Sequence, residues 1–105
     1  ERKEFWREFI RLYKELPALW KVKSAIYKNR IKKNEGYELL IEKLRTIMPN
    51  ANREIVTKKI NALRTNYRRE LKKLNDFKRS DARTEDIDTP SLWYFKDIDF
   101  LREQE

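Results

Sequence analysis

The strongest constraint on the fold is a regular spacing of apolar residues between Asn52 and Asn75. Successive apolar positions lie three or four residues apart, at Val56, Ile60, Leu63, Tyr67, Leu71 and Leu74. This is the period of one face of an α-helix, because residues three and four apart lie above one another. The sequence therefore predicts a third helix over residues 53–75 whose apolar stripe packs against a core.

The opposite face of this predicted helix is polar and basic. Half a turn from the apolar stripe lie Lys58, Asn61, Thr65, Arg69 and Lys72, with Arg68 beside them. A basic helix whose other side packs on a core is a common means of entering the major groove of DNA. A solvated charged face gives the same pattern, so the periodicity alone leaves both interpretations open.

The composition excludes several classes of function. The chain has 105 residues, a length that suits one domain spanning 1–105, and it contains no His and no Cys. The commonest general base and the commonest metal ligands are therefore missing, so we expect no catalytic residues, no metal site and no cofactor. No apolar run approaches the roughly 20 residues that span a membrane. We expect neither a membrane partner nor a small-molecule substrate.

The positive charge lies on the first three-quarters of the chain. The formal net charge is +8. Residues 53–79 hold ten Lys and Arg against three Asp and Glu, a net +7, whereas residues 80–105 hold three against eight, a net −5. The acidic end is therefore unsuited to binding phosphate. Further basic residues that suit phosphate contacts are Lys59 and Lys73 in the third helix and, earlier in the chain, Arg30, Lys32 and Lys33.

Three other helices are predicted, over about residues 3–16, 30–48 and 90–98. Pro17 ends the first, and Asn29 and Asn52 are the expected N-caps of the second and third. Thr89-Pro90 suits the start of the fourth. This helix is so apolar that it must dock either on the other helices or on a partner, and docking on the other helices is expected. Residues 76–89 are predicted to form a loop. The chain is thus predicted to be all-α, a three-helix bundle with a short C-terminal helix docked on it.

Four separate motifs then follow one another along residues 9–101. They are Phe9-Ile10-x-Leu12-Tyr13-x-x-x-Pro17-x-Leu19-Trp20, Tyr27-Lys28-Asn29, Asn61-x-Leu63-Arg64-x-x-Tyr67-Arg68-Arg69-Glu70 and Trp93-x-Phe95-x-x-Ile98-x-Phe100-Leu101. Their order and spacing resemble the MADF domain, a Myb/SANT-like helix-turn-helix module of animal transcription regulators. Tyr37 and Ile60 depart from the family pattern, since Trp is frequent at both positions.

The resemblance implies a nuclear, chromatin-associated transcription regulator that binds double-stranded DNA through its third helix. On the helical face above, the expected DNA contacts are Lys58, Asn61, Thr65, Arg68, Arg69 and Lys72. Weaker phosphate contacts are expected from Lys59, Lys73, Arg30, Lys32 and Lys33. The alternative is a protein–protein interaction module that holds chromatin or transcription cofactor proteins and does not itself bind DNA, since some MADF domains serve that role.

Overall fold

The structure is a computed structural model that describes residues 2–79 and 93–104. Within these ranges the chain forms four α-helices: α1 (Arg2–Lys14), α2 (Arg30–Arg45), α3 (Arg53–Arg79) and α4 (Phe95–Ile98). Short 3-10 helices span Pro17–Leu19, Ala25–Lys28 and Asp99–Gln104. The described ranges contain no β-strand, and the prediction of an all-α bundle is confirmed.

Both predicted N-caps are present. The Asn29 side-chain oxygen accepts a hydrogen bond from the Lys32 amide at 3.0 Å, and the Asn52 oxygen accepts one from the Ile55 amide at 2.9 Å. Each asparagine thereby satisfies one of the free N–H groups at the start of its helix. These two residues set where α2 and α3 begin.

The helix ends differ from the prediction. α1 ends at Lys14, and Pro17 opens a 3-10 helix because its fixed φ suits a first helical position. α2 ends at Arg45 rather than 48, and the Thr46 hydroxyl donates to the Lys43 carbonyl at 2.7 Å in the turn that follows. α3 continues to Arg79 instead of 75, since no Gly or Pro interrupts it. The predicted loop over 76–89 is therefore wrong for residues 76–79, and its remainder lies outside the described residues.

The C-terminal helical segment extends further than predicted, and its described part opens with a turn. Residues 93 and 94 form a turn, and α4 begins at Phe95. The chain then continues as the 3-10 helix Asp99–Gln104. The predicted start at Thr89-Pro90 lies outside the described residues. We call residues 93–104 the C-terminal segment.

The core is formed by α1, α2, α3 and the C-terminal segment together. The buried side chains include Phe9, Ile10 and Tyr13 of α1, Leu40 and Leu44 of α2, Val56, Ile60 and Tyr67 of α3, and Tyr94, Phe95, Ile98 and Leu101. The predicted docking of the C-terminal segment on the domain's own helices is confirmed. This burial holds α3 by one side only.

Gly36 allows a close approach between α2 and the 3-10 helix at Pro17–Leu19. A Cβ atom at this position would lie 3.3 Å from two carbon atoms of the Leu19 side chain. That separation is tighter than ordinary van der Waals contact, so a larger residue would force Leu19 to move.

Polar contacts fasten the C-terminal segment at several points. The Tyr67 hydroxyl donates to the Asp99 carboxylate at 2.7 Å, and the Arg102 Nε donates to the same oxygen at 3.1 Å. The Val22 amide donates to the Gln104 side-chain oxygen at 3.1 Å. The segment is thus tied to α3 and to the connection between α1 and α2.

Candidate nucleic-acid interface

α3 presents one continuous polar side to solvent. Val56 and Tyr67 are completely buried on its inner side and Ile60 nearly so. The six residues of the predicted DNA-contacting face are all exposed: Lys58, Asn61, Thr65, Arg68, Arg69 and Lys72. We call these six residues the outer face of α3. At about 1.5 Å per residue, the helix is roughly 40 Å long, so its outer face extends over several turns.

The cations of the outer face differ in how they are paired. Lys58 Nζ lies 3.7 Å from a Glu54 carboxylate oxygen, and both side chains are 75% exposed. An ion pair so open to water is weak and easily exchanged. Arg69 and Lys72 form no hydrogen bond or ion pair with any described residue. An anion that binds these two cations would therefore break none of the contacts between described residues.

Lys59 and Lys73 lie on the flank of α3 and not on its outer face. Lys59 is half-buried, and its Nζ lies 5.9 Å from the centre of the Trp6 ring. It borders a shallow groove of about 220 Å³ that is also lined by Trp6, Leu63, Asn66, Trp93 and Tyr94. Lys73 Nζ lies 3.6 Å from a Glu70 carboxylate oxygen. Both lysines thus face neighbouring groups of their own chain.

The three basic residues at the start of α2 also differ from one another. Lys33 Nζ lies 3.7 Å from the centre of the Tyr27 ring, a cation–π contact, and Lys32 Nζ lies 3.7 Å from a Glu35 oxygen. Arg30 is exposed and makes no such contact within the part of the chain that the structure describes. Of the three, Arg30 is the one whose charge is unengaged.

Arg53 is a basic residue that the sequence reasoning missed. It is the first residue of α3, and its guanidinium donates to the Asn34 side-chain oxygen at 2.8 Å. The same guanidinium lies 4.2 Å from the centre of the Tyr37 ring. Because Arg30 precedes Asn34 by one helical turn on the same side of α2, this contact places the basic start of α2 near the start of α3. The contact between Arg53 and α2 could not be predicted from the helical period of α3, because it depends on how the two helices pack.

The described residues show neither a metal site nor a membrane span. No group of Asp and Glu side chains among them is arranged to hold a metal ion. None of their helices is both long enough and apolar enough to cross a bilayer.

A comparison with protein-family models decides the family. Residues 9–101 match the model described as "Alcohol dehydrogenase transcription factor Myb/SANT-like", the MADF family. The chain belongs to the MADF family. MADF domains are Myb/SANT-like DNA-binding domains and not a family of enzymes, so this chain is a DNA-binding domain by family. Comparisons with curated proteins and with solved structures found no match.

Proposed function

We propose that this MADF domain binds double-stranded DNA by placing the outer face of α3 in the major groove. The observation that carries the proposal is a pair of exposed cations, Arg69 and Lys72, that pair with no described residue and lie on a helix whose opposite side is buried in the core. A rigidly held helix can present several side chains to base edges in a fixed geometry. The domain would serve a nuclear, chromatin-associated transcription regulator.

Each residue type on the outer face has a chemical role in this arrangement. Asn61 can form two hydrogen bonds with adenine, and Arg68 or Arg69 can form two with guanine. Lys72 is suited to a phosphate. Thr65 lies between Asn61 and Arg69 along the helix, and its hydroxyl can donate to or accept from a base edge. The exposure of all these side chains supports the assignment.

Contacts with the DNA backbone from outside the outer face depend on whether each cation is already paired within the protein. Arg30 pairs with no described residue and would break none of the described contacts on binding a phosphate. Lys33 and Lys59 would first have to leave the aromatic rings of Tyr27 and Trp6. Lys32 and Lys73 would exchange an ion pair with a glutamate for one with a phosphate. We therefore propose Arg30 as the strongest of the secondary contacts.

The test is binding to a fluorescent duplex, measured by anisotropy across a salt series. The variant Arg69→Ala/Lys72→Ala removes two charges from the outer face, and Lys21→Ala/Lys23→Ala removes two exposed charges outside α3. Each phosphate contact contributes about 0.9 to the slope of log affinity against log salt. We expect the outer-face variant to lose up to about 1.8 from that slope, while the control variant keeps the wild-type slope.

The same measurement examines the alternative, a protein-interaction module. The observation that favours it is a pair of exposed apolar side chains on α2, Ile31 at 70% and Leu39 at 45% exposure. The exposed carboxylates of Glu38 and Glu42 lie beside them. Such a surface suits a protein partner such as a transcription cofactor. If wild type fails to bind duplex even at low salt, the DNA proposal is wrong and this alternative takes its place. Equal salt slopes for the outer-face variant and the control variant would show that the outer face of α3 does not contact DNA.

A further inference from the structure

The first turn of α3 carries a carboxylate on the same side as the outer face. Glu54 precedes Lys58 by four residues and Asn61 by seven, so the three side chains lie above one another. The positive end of the helix dipole favours an acidic residue in a first turn. That preference does not explain why the acid stands in line with the residues proposed to meet DNA, where a carboxylate repels phosphate.

The outer side of α3 changes character along its length. Its first half holds Glu54, Lys58, Asn61 and Thr65, whose charges cancel and which offer both hydrogen-bond donors and acceptors. Its second half holds the cations Arg68, Arg69 and Lys72 and, one turn after Lys72, the carboxylate of Asp76. In helix-turn-helix proteins, the first residues of the recognition helix contact base edges. The first half can therefore both donate to and accept from base edges, whereas the cations of the second half can only donate, to guanine or to phosphate.

Resting on the proposed function, we propose that the Glu54–Lys58 pair recognises a C·G base pair in the major groove. Cytosine presents its N4 amino group there as a donor, and guanine presents O6 and N7 as acceptors. The Glu54 carboxylate accepts from the cytosine, and the Lys58 ammonium donates to the guanine. The protein groups lie 3.7 Å apart and are open to solvent, so both can reach one base pair. A thymine or guanine opposite Glu54 would turn an acceptor toward the carboxylate and be rejected.

The experiment is site selection from a randomised duplex pool, followed by anisotropy with all four base pairs at each position of the selected site. We expect wild type to prefer C·G by about tenfold at one position. In Glu54→Gln the amide both donates and accepts, which matches adenine, so the preference at that position moves to A·T. Glu54→Ala loses the preference there without gaining another. All other positions keep their preferences in both variants.

The control is Glu38→Gln, which makes the same change of charge at an exposed position on α2. It is expected to raise affinity slightly for every sequence and to leave all base preferences as they are. If Glu54→Gln behaves in the same way, or if wild type selects no C·G position, Glu54 is not a base contact and the inference is wrong while the proposed function stands. If wild type does not bind duplex at all, the proposed function fails and this inference fails with it.

Discussion

At the scale of single residues, two buried tyrosines make stability depend on alkaline pH. Burial raises the pKa of Tyr67 to about 12, and its hydrogen bond to Asp99 acts in the same direction because only the protonated hydroxyl can donate. Burial likewise raises the pKa of Tyr13 to about 12, against the opposing effect of the nearby Arg64. Each tyrosine therefore keeps its proton to a higher pH in the folded domain than in the unfolded chain.

The contribution of these two tyrosines to the free energy of unfolding is expected to be constant below pH about 10 and to decrease between pH about 10 and pH about 12. The sign follows because the folded state binds more protons than the unfolded state in this window. Tyr67→Phe should flatten the fall, while costing about 1 kcal/mol at neutral pH from the lost hydrogen bond. Urea unfolding across this pH range measures both effects. An alkaline decline in Tyr67→Phe as steep as in wild type would contradict the prediction.

At the scale of elements, the sequence predicted the helix caps and the exposed side of α3, which depend on near neighbours, but not the individual side-chain contacts between elements. The caps Asn29 and Asn52 act on amides three residues away, so a local pattern sufficed. The apolar period likewise placed the six outer-face residues on one exposed side of α3, although their contact with DNA stays a prediction. The Arg53 contact with Asn34 joins two helices, and the Lys33 contact depends on where the Tyr27 ring lies. Neither arrangement is encoded in the period of a single helix.

The cap of α3 gives a prediction at this scale. Asn52→Ala should lower the free energy of unfolding by about 1 kcal/mol, because the Ile55 amide loses its partner. Asn50→Ala is the matched control, since Asn50 is exposed and its side chain bonds to no described residue. That control should change stability by less than about 0.5 kcal/mol. Thermal or urea unfolding that finds equal losses would show that the cap contributes nothing.

At the scale of the whole molecule, the two ends of the chain complete a single core. α1 and the C-terminal segment are far apart in sequence, yet Phe9, Tyr13, Ile98 and Leu101 belong to the same buried cluster. A domain of this size has little core to spare. The C-terminal segment is therefore part of the folded unit, and the support of α3 from behind depends on it.

Ile98→Ala tests that dependence, because Ile98 is completely buried. The cavity and the lost apolar contact should lower the free energy of unfolding by about 2–5 kcal/mol. Lys96→Ala, an exposed position in the same short helix, should cost less than about 0.5 kcal/mol. The comparison is made by urea unfolding monitored through helical circular dichroism. Similar midpoints for the two variants would mean that the segment does not stabilise the bundle.

The placement of the tryptophans has an optical consequence. The Trp20 indole donates to the Tyr13 carbonyl at 3.0 Å, and its ring centre lies 4.8 Å from that of Phe100, while Trp93 lies within the C-terminal segment itself. Residues 53–79 contain no tryptophan. Trp6, the third tryptophan, lines a groove with Trp93 and Tyr94. Intrinsic emission from the three indoles therefore reports on the seam where the C-terminal segment meets the helices. The outer face of α3 carries no tryptophan of its own. A change in tryptophan emission therefore indicates detachment of the C-terminal segment, which can be distinguished from the anisotropy change of a labelled duplex that binds the outer face.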